Sequence, residues 1–272
     1  MQIQVNGQSA YAYTGGKPFN PALPCIVFIH GAMNDHSVWT LLARSFAHHG
    51  HGVLAVDLPG HGRSGGAPLD GVEQMADWIW ALLDAAGVDQ AALVGHSMGS
   101  LIALEAAGRR PERATRLALV GTAYPMKVSE ALLSSARETP LQAIEMVNNF
   151  SLSSLAAKPS YPGPGAWLHG GERALKRRML AGTRHPAPGG AANLFEHDFS
   201  CCDRYAGGLE AASRVQCPAG LILGERDQMT SPKQTAALAE ALKAEIFKLP
   251  AGHSLMAEAS EQMLTTLRQV LG

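Results

Sequence analysis

Cysteine is scarce in this 272-residue chain, which has only four. Cys25, Cys201, Cys202 and Cys217 show neither the paired spacing of a zinc site nor the density of a disulfide scaffold, so reduced thiols are expected. An excess of one charge is missing too: 22 Lys plus Arg face 23 Asp plus Glu, a formal net charge of -1. No basic run is long enough to track a nucleic-acid backbone, so no nucleic-acid partner is expected. No stretch approaches the ~18 apolar residues of a membrane span, and Met1-Gln2-Ile3-Gln4-Val5 lacks the charged-then-apolar layout of a signal peptide. These absences argue against a membrane partner and predict a cytoplasmic protein. Internal repeats and low-complexity tracts are also missing.

What is present is 46% hydrophobic and 17% charged sequence, enough apolar material for a large core. The length allows one α/β domain with an insertion or two smaller domains. In the first half, short apolar runs alternate with helical patterns, the signature of a parallel sheet. Cys25 to His30, Gly52 to Asp57 and Ala91 to Gly95 lack in/out alternation and read as strands buried on both faces. Helices are predicted near residues 37 to 49 and 71 to 87. A third runs from about Met98 to Arg109, stopped by Pro111, and Leu117 to Val120 forms another strand.

From Tyr124 to about Arg214 the pattern changes to polar helical stretches. Pro/Gly clusters at 159 to 165 and 186 to 190 interrupt them, and no strong strand is visible. Strand patterns return at Ala219 to Leu223 and Glu245 to Leu249, with a helix from Pro232 to Leu242 between them and another ending near Leu271. The simplest organisation is one sheet interrupted by a helical insertion.

Gly95-His96-Ser97-Met98-Gly99 lies directly after a strand and before a helix, where a sharp turn lifts Ser97 into the open. As a bare pattern it arises by chance in roughly one chain of this length in ten; the placement makes it informative. The helix start behind Ser97 offers free backbone N–H groups and a positive dipole end. A serine hydroxyl is a poor nucleophile at neutral pH and needs a base oriented by an acid. Asp227, in Gly224-Glu225-Arg226-Asp227, and His253, in Gly252-His253-Ser254, both follow strands and should reach the sheet edge that carries Ser97. Upstream, His30-Gly31-Ala32-Met33 follows the first long strand, where the Ala32 N–H can meet a developing oxyanion alongside that of Met98.

Taken with Asp57-Leu58-Pro59-Gly60-His61-Gly62-Arg63-Ser64, these motifs make nearly the whole chain resemble the α/β-hydrolase superfamily, in its branch with a helical cap. The resemblance implies a mostly parallel central sheet flanked by helices, with a cap inserted after the sixth strand. It divides the chain into a core of residues 1–123 and 215–272 and a cap of 124–214. It also implies Ser97 as nucleophile, His253 as base and later acid, Asp227 as its partner, and the Ala32 and Met98 amides as the oxyanion hole. No cofactor and no metal are implied. Glu225 and Asp227 share a face in extended structure, so alternation leaves the choice open and family position selects Asp227; Asp198 and Asp203 are further acids close in sequence.

Serine at position 97 disfavours the dehalogenase and epoxide hydrolase branches, and a lone Gly31 argues against lipases with a glycine run. The expectation is a serine hydrolase acting on a small-molecule ester, lactone or thioester. A carbon–carbon bond hydrolase, a cofactor-free perhydrolase and a non-catalytic receptor remain alternatives on the same fold, and monomer or homodimer stays open. His30, His61 and His96 are read as loop-shaping residues, not zinc ligands. Asp57 and Arg63 are read as tying down their own loop, and Cys201 and Cys202 as packing groups, with pocket lining the alternative. Lys176-Arg177-Arg178 could meet an anionic substrate but is read mainly as a solvated face. Met126, Leu132, Leu133, Met146, Phe150, Tyr161, Trp167, Met179 and Phe195 are read mainly as cap packing, some of them as pocket wall.

Overall fold

A computed structural model describes residues 1–153, 166–182 and 188–272. Tyr161 and most of the two Pro/Gly clusters lie outside them. The first elements are two strands that the reading above does not contain, β1 (Gln2–Val5) and β2 (Gln8–Tyr13). Asn6 and Gly7 both take positive φ, 50° and 77°, the conformation of a tight hairpin turn, and Asn-Gly is its strongest short signal. Ile3 and Val5 point into the core while Gln2 and Gln4 face solvent. That alternation is the mark of an edge pair wet on one side.

Next come β3 (Cys25–Ile29), a short 3₁₀ turn at His36–Trp39, α1 (Thr40–His48), β4 (Gly52–Val56), α2 (Val72–Ala85), β5 (Ala91–His96), α3 (Met98–Arg109) and β6 (Ala114–Val120). The predicted helices and strands all fall here, with β6 beginning three residues earlier than read. After the insertion follow β7 (Ala219–Gly224), a 3₁₀ turn at Pro232–Thr235 leading into α9 (Ala236–Leu242), β8 (Glu245–Leu249), α10 (Leu255–Glu258) and α11 (Ser260–Leu271). Among the described residues eight strands form one sheet in the order β1-β2-β4-β3-β5-β6-β7-β8. β1 and β2 are antiparallel to each other and β2 to β4; every later pairing is parallel.

The central strands are buried throughout, and their period-two geometry splits them between two cores. Val27, Ile29, Leu54 and Leu93 pack with α2 and α3, whereas Ile26, Phe28, Val53 and Val94 pack with α1 and α11. Helix α3 is buried from Met98 to Gly108, as befits a helix lying behind the middle of the sheet.

Between β6 and β7 the chain forms α4 (Glu130–Glu138), α5 (Pro140–Ser151), α6 (Ala166–Gly182), α7 (Leu194–Arg204) and α8 (Gly208–Arg214), with no strand among the described residues. Helices α4 to α7 build a third apolar cluster around Leu132, Ile144, Met179, Leu194 and Phe195. One member of that cluster is foreign to the insertion: Met33, fully buried, from the loop after β3. Helix α8 instead packs on α3, with Gly108 against the Ala211 backbone and Ala211 and Ala212 in the first core. The return to core packing therefore begins before residue 215.

Candidate active site

The turn between β5 and α3 is built for close approach. Ser97 sits at φ 53°, ψ −121°, a strained position for a non-glycine residue. A side chain at Gly95 would land on the Gly99 carbonyl, and one at Gly99 on the Ile29 carbonyl. Both glycines are thus required by space. The Ser97 N–H donates to the Val120 carbonyl at 2.9 Å, and the Ser97 carbonyl accepts from the Ser100 N–H at 2.8 Å and the Ser100 hydroxyl at 2.6 Å. The backbone is held on both sides while the Met98 N–H, at the first helical position, has no intrahelical acceptor.

Asp227, buried just after β7, accepts from the Met229 and Thr230 N–H groups on Oδ1, both at 2.8 Å. Its Oδ2 accepts from His253 Nδ1–H at 2.9 Å. The Thr230 hydroxyl lies 2.8 Å from that same oxygen, 2.9 Å from the Gly121 carbonyl and 3.1 Å from His253 Nδ1. Burial pushes the carboxyl up, but His253 and the Thr230 donors outweigh it and hold Asp227 at about 2. It is therefore a carboxylate at neutral pH. Glu225, which alternation could not separate from it, is exposed. Asp203 accepts from the Val128 N–H, and Asp198 bonds His61 and Met33.

His253 is held by its backbone as well. Its N–H donates to the Ser151 carbonyl at 2.8 Å, and its own carbonyl accepts from His96 Nε2–H at 2.9 Å. That bond fixes the His96 tautomer and leaves buried Nδ1 unpartnered. Burial and the neighbouring His253 push His96 down to about 3, so it is neutral. The remaining motif histidines are tied to backbone too. His30 Nδ1–H donates to the Gly31 carbonyl at 2.9 Å and its Nε2 accepts from the Leu58 N–H at 3.1 Å. His61 Nδ1–H donates to the Pro59 carbonyl at 3.0 Å.

Gly31 lies in a tight spot, since a Cβ there would sit 3.0 Å from Ser97 Cβ and 3.1 Å from the His96 carbonyl. This brings the 31–34 turn, with Ala32, against the Ser97 turn. Ala32, Ser97 and His253 line one cavity of about 630 Å³, whose outer wall is apolar side chains of the insertion, including Met126, Leu132, Met146 and Phe150. Leu132 and Met179 are buried, as expected of packing residues, but Trp167 is 81% exposed.

Asp57 ties its own loop through the Arg63 N–H at 2.8 Å and reaches the 3₁₀ turn through the His36 N–H and Nδ1, while Arg63 stretches to the Tyr11 hydroxyl. Asp35, His36 and Asp57 are close enough to hold a cation. Their oxygens are already taken, though, by Ser37, Arg178, His36 and Arg63. All four cysteines are free; Cys201 and Cys202 pack in the core, Cys202 also lining the cavity, and burial pushes the Cys201 thiol up to about 12.

The basic triplet differs from its reading as a solvated face. Arg177 and Arg178 are exposed and pair with Glu145 and Asp35, but Lys176 is 5% exposed and lines the cavity, with Nζ 3.2 Å from Glu172. Thr230 and Ser151 were not legible as site residues, while Lys176 was read mainly as solvated and Asp198 only as a further acid near Asp227. Of the first two, only Thr230 left a trace, an Asp-x-x-Thr spacing suited to a side chain capping its own turn.

A family profile described as the alpha/beta hydrolase fold matches residues 24–260. The chain belongs to this family. Its full length superposes on the enol-lactonase of Burkholderia xenovorans with a TM-score of 0.81 at 22% identity, covering 99% of that chain. It superposes on a thermophilic esterase with a TM-score of 0.78 at 22% identity, covering 96% of that chain. By sequence it is 29% identical over 255 residues to the dihydrolipoyllysine-residue acetyltransferase component of the acetoin cleaving system of Pseudomonas putida, spanning 90% of this chain and 63% of that protein. It is 30% identical over 155 residues, 52% of this chain and 56% of the other, to (E)-2-((N-methylformamido)methylene)succinate hydrolase of Acinetobacter baylyi. The matches span 63% and 56% of these two relatives' own length, and hydrolases, esterases and lactonases are among the proteins this chain is similar to.

No helix among the described residues is long and apolar enough to cross a membrane.

Proposed function

We propose that this α/β hydrolase is a serine hydrolase of a small or medium carboxylic ester, lactone or thioester, working through an acyl-enzyme on Ser97. The observation that carries this reading is the buried 2.9 Å hydrogen bond from His253 to an ionised Asp227, in the same cavity as a serine on a strained turn. In this mechanism His253 Nε2 takes the Ser97 proton as Oγ attacks the carbonyl carbon. The oxyanion receives the Ala32 and Met98 N–H groups, and the protonated His253 delivers its proton to the leaving alcohol or thiol as that bond breaks. Water then attacks the acyl-enzyme with His253 again as base, releasing the acid and restoring Ser97.

In the same reading the inserted helices are a cap that closes the cavity over a small-molecule substrate. Lys176 supports a substrate with an anionic group at its cap-facing end, because a lysine stem on a surface helix ordinarily carries its ammonium to water. The succinate name of the Acinetobacter relative agrees with that chemistry.

Intact mass after incubation with a fluorophosphonate tests the assignment. One adduct on the wild type and none on Ser97→Ala is expected, followed by turnover within a panel of p-nitrophenyl esters from acetate upward. No adduct on folded wild type would overturn the reading in favour of a receptor, and labelling without turnover of any ester in favour of carbon–carbon bond or perhydrolase chemistry.

A further inference from the structure

Asp198 is a fully buried carboxylate on α7, and it does not touch the Asp227–His253 pair. Its Oδ2 accepts from the Met33 N–H at 2.8 Å and from His61 Nε2 at 2.9 Å, while Oδ1 is buried without a partner. The His61 ring fixes the charge of this contact. Nδ1 faces the Pro59 carbonyl and Nε2 faces Asp198. A carbonyl and a carboxylate only accept, so both ring nitrogens must carry protons and His61 is an imidazolium. Burial alone would push His61 down, but Asp198 outweighs it and raises it. Burial likewise acts to raise Asp198, and His61 prevails to lower it. The result is an ion pair in which both side chains are essentially inaccessible.

The acceptor of that pair, on α7, bonds the loop proposed to stabilise the oxyanion. Met33 has φ 58°, its side chain is buried in the apolar cluster of the insertion, and its N–H is committed to Asp198. The Ala32–Met33 peptide cannot flip without setting the Ala32 carbonyl against a carboxylate. The peptide before it is held too, because the Gly31 carbonyl accepts from His30 Nδ1–H and from the Asn34 N–H. In a trans peptide the Ala32 N–H then points away from His30.

We infer that Asp198 is a positioning residue, supplied by the inserted helices, that holds the Gly31–Asn34 turn in the form that presents the Ala32 N–H. The seating of α7 and the assembly of the oxyanion hole are then one equilibrium. This rests on the serine-hydrolase reading, and Asp198 acts only through the loop.

The test compares Asp198→Asn with wild type, using p-nitrophenyl acetate, fluorophosphonate titration of active enzyme, and phenylboronic acid. Boron accepts the Ser97 oxygen while the serine proton passes to His253, giving a tetrahedral anion that samples the hole. Removing an oxyanion donor costs ~10²–10³ in kcat. Misplacing one is expected to lower kcat per titrated site by about 10- to 100-fold, with KM within about twofold, and to weaken boronate affinity in parallel. Unchanged kcat and boronate affinity in Asp198→Asn would overturn the inference while leaving the serine assignment intact, whereas an unlabelled wild type would overturn the serine assignment itself. Should Asp198→Asn fail to fold, His61→Gln carries the test: it removes the charge but retains an N–H donor. A drop in kcat per titrated site with KM unchanged supports the inference, and wild-type kcat overturns it.

Discussion

The two parts of this α/β hydrolase contribute to the site in different currencies. The sheet side supplies the groups that would react: Ser97 on the turn after β5, Asp227 after β7 and His253 after β8, each a strand-end residue fixed by buried backbone. The inserted helices supply groups that hold those loops. The Ser151 carbonyl accepts the His253 N–H, and Asp198 accepts the Met33 N–H. In the proposed mechanism the reacting groups therefore sit on strand-end turns held by buried backbone hydrogen bonds, and the inserted helices act on their placement.

Substitutions on the two sides should separate by size. Ser97→Ala on the sheet side is expected to lower kcat by ~10⁴–10⁶-fold with the fold retained; a rate within tenfold of wild type would remove Ser97 from the mechanism. Asp227→Asn should cost about 10⁴-fold in kcat, since the amide permits the wrong His253 tautomer. Both exceed the 10- to 100-fold expected at Asp198, and if Asp198→Asn equalled them the division of labour would fail. Gly99→Ala should act on folding instead. Its Cβ would meet the Ile29 carbonyl, and a loss of about 3 kcal/mol or more in urea unfolding is expected.

The same division governs what was legible in the sequence. β3, β4 and β5 are continuous apolar runs ended by polar residues, and the motifs after them concern the backbone at sheet edges, so the fold and the candidate site residues were readable together. The β1–β2 hairpin was carried by a clear Asn-Gly turn and short alternation, but a four-residue edge strand has little apolar signal. Glu225 and Asp227 differ in burial, Asp227 being enclosed with Thr230 and His253 while Glu225 is exposed, and that is a tertiary fact. The roles of Asp198 and Lys176 could not be singled out, for a further reason. Each is an ordinary charged residue on a polar-looking helix, and only the packing of α6 and α7 over the loops turns it inward.

Acid and alkali should also strike the two sides differently. Burial and then a neighbouring imidazole push His96 to about 3 and His30 to about 4. Unfolded histidines titrate near 6.5, so the unfolded chain binds more protons below that value. Stability is then lost as pH falls from about 6.5 towards 4 and 3. Asp227, held at about 2, adds stability that is present above about 3.8 and lost as pH falls to about 2. His61 has the opposite sign: its raised value contributes stability present below about 6.5 and lost as pH rises through the folded value. Urea midpoints across pH 5 to 9 should show a weaker acid decline in His96→Gln and a weaker alkaline decline in His61→Gln. Parallel curves for either variant and wild type would remove that histidine from the balance.

The smallest expected effect bears on the substrate. Lys176 and Glu172 stand one helical turn apart on α6 and both line the cavity, so the ammonium is already half-neutralised and an incoming carboxylate competes with Glu172 for it. A hydrogen bond to a charged group contributes ~1.5–3 kcal/mol, and competition should leave the lower end, about tenfold in KM. Lys176→Met is expected to raise KM about tenfold for p-nitrophenyl hemisuccinate while leaving p-nitrophenyl butyrate within twofold. Glu172→Gln should act in the opposite direction on the hemisuccinate, because it frees the ammonium. Equal shifts for the two esters in Lys176→Met would mean that the side chain only shapes the wall, and would leave the cap as a holder of loops with no part in choosing the substrate.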